Sequence, residues 1–221
     1  MSARARRGSA ASYTEAAQIL AERDPVLADL VARGGPMRLR RSKLSHFEAL
    51  VQAIVYQQLA GAAASAIYGR LVAALGPEVT PERLLALSDK TLRTVGLSAA
   101  KVLSLRDLAA KVLDGTVDIA PRALARQSDE EVTARLSAVR GIGPWSAQMF
   151  MIFQLRRIDV WPVGDYGIRK GFGLAWKIPT PTPKELQPCG EPFKPYRTVL
   201  AWYCWRAAEL FAGAGESAVT R

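Results

Sequence analysis

Residues 128–155 read SDEEVTARLSAVRGIGPWSAQMFMIFQL, and this stretch decides the fold. Ser128 and Glu131 have the spacing of a helix-capping box, and the apolar residues that follow recur three and four apart, on one face of a short helix. The second half, from Trp145 to Leu155, is apolar on nearly every side and predicts a helix buried in the centre of the core. Two helices joined by a short turn are therefore expected here.

The turn between these helices reads Gly141-Ile142-Gly143-Pro144. Its two glycines can adopt positive φ, and the proline suits the first turn of the second helix. Backbone amides at such a helix start, together with the helix dipole, bind phosphate groups. On the glycines alone, a plain turn between two helices is the better interpretation. The flanking apolar pattern and the basic character of the chain favour DNA binding instead.

The rest of the chain has the same helical period without a clear strand alternation, so we predict an all-α fold. Helices are expected over 44–59, from the start signal Thr80-Pro81-Glu82 to Leu87, over 91–95 after Ser88, over 99–112 and over 196–211. Six of the thirteen prolines lie between Pro179 and Pro195 and predict a long irregular connection.

Composition and charge indicate a folded protein with a polyanionic partner. The 221 residues are 49% hydrophobic and 23% charged, which excludes wholesale disorder, and the net charge is +10. The excess lies in residues 1–43, with nine basic and four acidic side chains, and in 140–221, with eleven against six, while 44–139 hold ten of each. We expect nucleic acid as the partner before a membrane surface, and the two terminal segments must then share a face.

Targeting signals are not predicted. Arg4, Arg6 and Arg7 near the start are not followed by an apolar stretch, and the sequence contains no run of eighteen uncharged apolar residues. Two cysteines, Cys189 and Cys204, are too few for a disulfide scaffold and indicate a reducing compartment, although one bridge between them stays open. We therefore expect a cytoplasmic protein.

One carboxylate stands out in the glycine-rich segment from Asp159 to Gly167. Asp165 lies close to a buried apolar segment, where a carboxylate can stabilise a developing positive charge because little water screens it. Taken alone, an aspartate in a turn or at a helix start is the better interpretation. The nearby aromatic residues either fill a core or line a slot for a flat or cationic ring: Trp145, Trp161, Tyr166, Tyr196, Trp202, Tyr203 and Trp205.

Metal and triad chemistry have little support. His46 is the only histidine, and together with Cys189 and Cys204 it lacks ligand spacing, so no metal site is predicted. A Ser-His-Asp triad would need that one histidine, for which a capping or surface role is the better interpretation.

These motifs occur in the order found in the helix-hairpin-helix superfamily of DNA base-excision glycosylases, which the chain resembles from about Leu44 to Arg206. The resemblance is carried by the hairpin, by the segment ending at Asp165, and by three further stretches: KPYRTVLAWYCWR at 194–206, IVYQQL at 54–59 and GLSAAK at 96–101. Within the superfamily the chain is most similar to the 3-methyladenine DNA glycosylase II family.

The resemblance implies an all-α fold of two helical subdomains with an active-site cleft between them. Residues 1–43 are expected to pack with the C-terminal part as one subdomain. Residues 44–155 would form the central subdomain, with the hairpin at 128–155. Residues 156–221 would supply the loop of the catalytic aspartate, the proline-rich connection and the last helix.

Residue by residue, the resemblance makes Asp165 the catalytic carboxylate. It also implies a base pocket of Trp145, Trp205 and Tyr166, a DNA-binding hairpin of Gly141, Ile142 and Gly143, and a wedge of Leu59 with Gln58 that fills the gap in the duplex. Arg169 and Lys170, just after the aspartate, are expected to contact phosphates.

The expected activity is excision of alkylated bases, of the 3-methyladenine type, from duplex DNA that carries damaged bases. Bifunctional relatives have a lysine at the position of Trp145; tryptophan cannot form a Schiff base, so we expect hydrolysis by water without strand cleavage. Iron-sulfur relatives need four cysteines, so no cluster is expected, while a monovalent cation at the hairpin is allowed when DNA is bound. We expect a monomer. The alternatives are a glycosylase for hypoxanthine, an etheno adduct or uracil, and a non-catalytic helix-hairpin-helix DNA-binding protein.

Overall fold

The computed structural model describes residues 10–212, with side chains from residue 13 onward, so Arg4, Arg6 and Arg7 lie outside the described residues. All regular structure in this part of the chain is helical, which confirms the predicted all-α class. The α-helices are α1 (Ala10–Arg23), α2 (Pro25–Gly34), α3 (His46–Tyr56), α4 (Gly61–Leu75), α5 (Pro81–Ala86), α6 (Asp89–Thr94), α7 (Ala99–Leu113), α8 (Pro121–Leu124), α9 (Asp129–Ser137), α10 (Pro144–Phe153), α11 (Tyr166–Trp176), α12 (Pro183–Cys189) and α13 (Arg197–Leu210), with a 3₁₀ turn (Glu191–Phe193) before the last. None of these helices combines the length and the apolar character that a membrane span requires.

The chain divides into two compact units. Ser42–Phe150 forms the central unit, and the described residues up to Arg41 and from Met151 together form the terminal unit. The two basic segments identified in the sequence therefore fall largely within the same unit, as a shared binding surface requires.

Helix starts follow the capping residues of the sequence. The side chains of Thr80, Ser88 and Ser98 accept hydrogen bonds from the backbone three residues on, at the starts of α5, α6 and α7. Ser128 and Glu131 form the complete capping box, with Ser128 Oγ 3.2 Å from Glu131 N and Glu131 Oε2 2.7 Å from Ser128 N. The helix starts predicted at Thr80, Ser88 and Ser128 are confirmed because a cap depends only on residues within one turn. The cap at Ser98 was not predicted.

The long irregular connection predicted after Pro179 is wrong in part. Thr182 and Glu185 form a second capping box, and Pro183 occupies the first turn of α12, where its missing N–H costs nothing. The 3₁₀ turn Glu191–Phe193 follows directly. In this segment Pro183 therefore begins a helix rather than preventing one.

The helix predicted over 44–59 is also shorter than expected. It begins at His46, capped by Ser45, and ends at Tyr56, because Gln58 adopts a left-handed conformation with φ +56°. His46 has a packing role, since its Nδ1 lies 2.8 Å from the carbonyl oxygen of Ile119 and its ring stands edge-on against Phe150.

The core of the central unit forms where α7 packs against α3, α5 and α6. Its fully buried side chains come from each of these helices and include Ile54, Leu84, Leu92, Leu105 and Leu108. This packing fixes α7, which carries the polar side chains that hold the hairpin.

The core of the terminal unit forms where α13 packs against α1, α2 and α11. Tyr203 in α13 is fully buried, and its hydroxyl donates to the Gly35 carbonyl at 3.0 Å. At the start of α13, the Arg197 guanidinium forms a two-pronged ion pair with Asp159, with Nε and Nη2 each 2.9 Å from a carboxylate oxygen. Helix α13 is therefore fixed at its start and along its buried face.

Candidate active site and DNA-binding hairpin

Asp165 is the N-cap residue of α11. Its Oδ1 accepts a hydrogen bond from the backbone N–H of Ile168 at 2.9 Å and a second from the indole Nε1 of Trp205 at 3.0 Å. A carboxylate at this position also faces the positive end of the helix dipole. The helix-start interpretation that the sequence allowed is therefore correct, and the indole donor places a second, long-range constraint on the same oxygen.

The indole reaches Asp165 because α11 and α13 approach closely at glycines. A Cβ on Gly171 would lie 1.7 Å from the carbonyl oxygen of Cys204, so the two backbones are in contact there. One turn earlier, a Cβ on Gly167 would lie 3.0 Å from Cδ1 of Trp205. The Trp205 ring thus lies against Gly167, one turn before the backbone contact at Gly171.

Trp205 also stacks on Phe153, with ring centroids 5.9 Å apart and planes 20° from parallel. Phe153 is 43% exposed and Trp145 is 47% exposed. The prediction that α10 is buried on nearly every side is therefore wrong at its two ends, although Ala147, Met151 and Ile152 are buried. Phe153 is an aromatic neighbour of the site that the apolar pattern of α10 concealed.

The remaining residues predicted in this unit lie on α11. Tyr166 is 63% exposed, and the Arg169 guanidinium lies over its ring at 5.5 Å. Arg169 Nη1 donates to the Pro181 carbonyl at 3.1 Å, so this side chain ties α11 to the following loop. Lys170 is partly exposed. The phosphate contacts of Arg169 and Lys170 stay predictions.

The hairpin lies in the central unit, between α9 and α10. Gly141 has φ +78°, and a Cβ there would lie 2.6 Å from Oγ of Ser104, so both conformation and space require glycine. Gly143 does not have positive φ, and a Cβ there would meet nothing within 4 Å. Ile142 is buried and anchors the turn. Only the first of the two predicted glycines is therefore conformationally required.

Two residues of α7, Asp107 and Lys111, form hydrogen bonds with the hairpin. Asp107 Oδ2 accepts the backbone N–H of Arg140 at 2.7 Å and the Lys111 ammonium at 2.8 Å, and Lys111 donates to the Ala138 carbonyl at 2.6 Å. Burial acts to raise the pKa of Asp107, but the hydrogen bonds from Arg140 and Lys111 outweigh it and hold the pKa below its ordinary value of 3.8. The sequence analysis missed both residues; their spacing of four on one helix is the only local signal.

We expect Asp107→Asn to lower the stability of the protein by about 1 kcal/mol at pH 7, since Asp107 is partly exposed. A carboxyl whose pKa is depressed by folding contributes stability above its unfolded pKa and loses it as the pH falls through the folded pKa. The difference between Asp107→Asn and wild type should therefore shrink with acidification below pH 4. Urea unfolding at a series of pH values measures this. Asp29→Asn, which breaks an exposed ion pair with Arg33, is the control and should change little.

The predicted wedge lies in the turn between α3 and α4. Leu59 is 39% exposed, and Gln58 holds the left-handed φ of +56°, which is uncommon for a residue other than glycine. The Lys101 ammonium donates to the carbonyls of Val55 and Gln57, at 2.7 and 2.9 Å, and burial lowers its pKa. A non-glycine residue in the left-handed region stores backbone strain, which is found most often at functional turns. The wedge role of Leu59 with Gln58 stays a prediction.

This turn is also attached to the hairpin. The side-chain amide of Gln57 donates to the Gly141 carbonyl at 2.9 Å and to Oγ of Ser146 at 3.3 Å. Gln57, Lys101 and the hairpin therefore form one connected set of contacts within the central unit. Gln57 and Lys101 belong to the stretches that carried the family resemblance. The sequence could not show that their side chains connect this turn to the hairpin and to α7.

The carbonyl oxygens of the hairpin turn accept hydrogen bonds from several other groups of the protein. At the hairpin, the carbonyls of Ala138, Val139 and Gly141 accept hydrogen bonds from Lys111, Ile142 and Gln57. The Lys111 ammonium in particular already places a positive charge at this turn. A monovalent cation at the hairpin when DNA is bound stays a prediction, and we derive no step through one. Among the described residues, no three His, Cys, Asp or Glu side chains converge as a metal site. Cys189 and Cys204 are both free thiols, so the bridge left open by the sequence is not formed.

Comparison with known proteins decides the family. The model of the HhH-GPD superfamily of base excision DNA repair proteins matches residues 51–195. The chain belongs to this superfamily. The match includes the wedge turn, the hairpin and the Asp165 segment, and the resemblance seen in the sequence is confirmed at this level.

Individual HhH-GPD relatives match over nearly the whole chain. DNA-3-methyladenine glycosylase 1 of Schizosaccharomyces pombe is 35% identical over 204 residues, which cover 90% of this chain and 89% of the relative. The crystal structure of DNA-3-methyladenine glycosidase from Bacillus halodurans aligns with a TM-score of 0.81 at 35% identity, covering 89% of this chain and 90% of that one. The S. pombe 3-methyladenine DNA glycosylase in complex with abasic DNA aligns with a TM-score of 0.77 at 34% identity, covering 89% and 97%.

Proposed function

We propose that this protein is a DNA glycosylase that extrudes alkylated bases of the 3-methyladenine type from duplex DNA and hydrolyses their N-glycosidic bonds. The observation that carries the proposal is the Asp165 carboxylate, fixed by the Ile168 amide and the Trp205 indole at the start of α11. All three matches described above are named as 3-methyladenine DNA glycosylases or glycosidases, one of them in complex with abasic DNA, and this supports the same substrate class.

Extrusion comes first, because an enzyme cannot reach the glycosidic bond inside the base stack. Unpairing and unstacking cost a few kcal/mol, and less for a damaged base. The exposed Leu59, on a turn fastened by Lys101 and Gln57, suits a wedge that fills the vacated space. The amides at the start of α10 and the excess of basic residues suit the binding of phosphates.

Bond cleavage then relies on charge. Alkylation at a ring nitrogen makes the base cationic and a good leaving group, so little general acid is needed. The exposed ring of Tyr166 and the ring of Trp205 beside Asp165 can attract such a base through cation–π contacts of roughly 0.5–2 kcal/mol each. As the bond stretches, the sugar gains oxocarbenium character, which the Asp165 carboxylate stabilises while it orients the attacking water. The base-stacking role of Trp145 stays a prediction.

We further propose that the enzyme leaves the DNA strand intact. Strand cleavage by glycosylases of this superfamily requires an amine that attacks the sugar, and Trp145 occupies the position of that lysine after the hairpin. An indole nitrogen cannot form a Schiff base. The product should therefore be a free base and an abasic site.

Incubation with randomly methylated duplex DNA tests the proposal. We expect chromatography to show free 3-methyladenine and gels to show no nicks until heat or alkali is applied. Release of hypoxanthine, an etheno base or uracil from matching duplexes, without methylated bases, would indicate a different lesion. Salt-dependent DNA binding without any base release would indicate a non-catalytic DNA-binding protein, and nicks without heat would contradict the Trp145 argument.

A further inference from the structure

The indole of Trp205 is committed on two sides. Its Nε1 donates to Oδ1 of Asp165 at 3.0 Å, and one face of its ring stacks on Phe153. A residue that only stacks on a base needs a flat ring, and its N–H can face anywhere. The orientation of this indole is instead set by two neighbours. Phe153 stacks on its ring, and the Asp165 carboxylate accepts a hydrogen bond from its N–H.

Two donors on one oxygen constrain a carboxylate more than one donor does. The terminal torsion of an aspartate is broad, so a single hydrogen bond does not fix the plane of its carboxylate. Ile168 N and Trp205 Nε1 approach Oδ1 from two different elements, α11 and α13. Two donors on one oxygen define the plane of the carboxylate, and with it the direction in which Oδ2 points.

Gly167 is the residue that leaves room for this contact. A Cβ there would lie 3.0 Å from Cδ1 of Trp205, 3.1 Å from Oδ1 of Asp165 and 3.3 Å from Nε1 of Trp205. All three distances are shorter than ordinary van der Waals contact. Any side chain at Gly167 would therefore press on both partners of the hydrogen bond at once, although its backbone has no positive φ that would itself require glycine.

We propose that Trp205 is a positioning residue whose N–H sets the orientation of the Asp165 carboxylate, and that Gly167 is needed to let the two side chains meet. This inference rests on the proposed function, since it concerns the group that would stabilise the transition state. It changes the expectation from the sequence, in which Trp205 served only as an aromatic wall of the base pocket.

Three variants test the inference. Trp205→Phe keeps an aromatic ring on Phe153 but removes the N–H, and Gly167→Ala keeps the indole but displaces it. We expect each to slow single-turnover release of 3-methyladenine by about 10- to 100-fold, the loss of one hydrogen bond to a charged group. Binding to duplex DNA with an abasic site should stay near the wild-type level. Gly164→Ala, on an exposed glycine whose Cβ would meet nothing within 4 Å, is the matched control and should release base like wild type.

A signal that does not depend on activity separates positioning from mere packing. The protein has five tryptophans, so a ¹⁵N-labelled sample gives five indole N–H resonances, and Trp205→Phe identifies the one of interest. Asp165→Asn and Gly167→Ala should shift this resonance, and Gly164→Ala should not. If Gly167→Ala fails to fold, the rate of base release by Trp205→Phe and the resonance shift in Asp165→Asn still test the inference.

A wild-type rate for Trp205→Phe, or a Trp205 resonance that ignores Asp165→Asn, would overturn the inference. If the wild-type protein releases no base at all, the proposed function fails, and the resonance shifts still test the contact itself. The two failures are therefore distinguishable.

Discussion

Asp165→Asn is expected to slow base release on the order of a thousandfold, with folding and DNA binding left intact. The substitution removes the negative charge that would stabilise the sugar cation but keeps the size of the side chain. Asparagine also caps helices well, so its amide oxygen can still accept the Ile168 N–H and keep the start of α11 capped. Single-turnover release of 3-methyladenine, together with anisotropy titration on abasic duplex DNA, measures the two effects separately.

The matched control is Asp159→Asn, in the same segment of the chain. Asp159 forms the two-pronged ion pair with Arg197 at the start of α13, so its loss should reduce stability. Base release per folded molecule should stay near wild type, because Asp159 has a structural role. Equal rates for Asp165→Asn and wild type would remove Asp165 from the mechanism, and equal losses in both variants would indicate that only folding had been disturbed.

Gly171→Ala is expected to destabilise the protein by about 3 kcal/mol or more. The new Cβ would lie 1.7 Å from the carbonyl oxygen of Cys204 and 2.6 Å from its carbonyl carbon. Both atoms belong to the backbone of α13, so no side-chain rotation relieves the overlap. Helices α11 and α13 would have to separate, which would open the core of the terminal unit and carry the Trp205 indole away from Asp165. Urea unfolding gives the change in stability.

Gly69→Ala supplies the comparison with opposite sign. Gly69 lies within α4, is exposed, and would meet nothing within 4 Å if it carried a Cβ. Alanine there should raise the stability by up to about 1 kcal/mol through helix propensity alone. The same chemical change should thus stabilise one helix and disrupt another. A Gly171→Ala protein as stable as wild type would mean that the two helices can separate at little cost.

Local features of the fold could be predicted from the sequence because their causes are local. The starts of α5, α6, α7 and α9 follow from one capping residue and the turn after it. The hairpin follows from Gly141, whose positive φ only glycine adopts readily. The error over 179–195 has a local cause too: prolines count as breakers in a pattern, but at the first turn of α12 the proline begins a helix.

The site itself could be predicted only as a set of residues. The order of the motifs identified Asp165 as a candidate catalytic residue. The sequence could not show which side chain would donate a hydrogen bond to its carboxylate. Trp205 lies 40 residues away and reaches Asp165 only because Gly171 lets α11 and α13 touch. The contact of Phe153 with Trp205 could not be predicted, because nearly every residue of its helix is apolar. The pattern of α7 did not distinguish Lys101 from an ordinary exposed lysine. The four-residue spacing of Gly167 and Gly171 was the one available hint of a close helix contact.

The turn that carries Leu59 and the hairpin are joined by direct contacts within the central unit. The Lys101 ammonium holds that turn to helix α7 and the Gln57 amide holds it to Gly141, so the turn and the hairpin are connected by direct contacts. If Leu59 acts as the wedge, the contacts that hold its turn also hold the backbone that we expect to bind phosphates, so insertion and backbone binding are mechanically coupled.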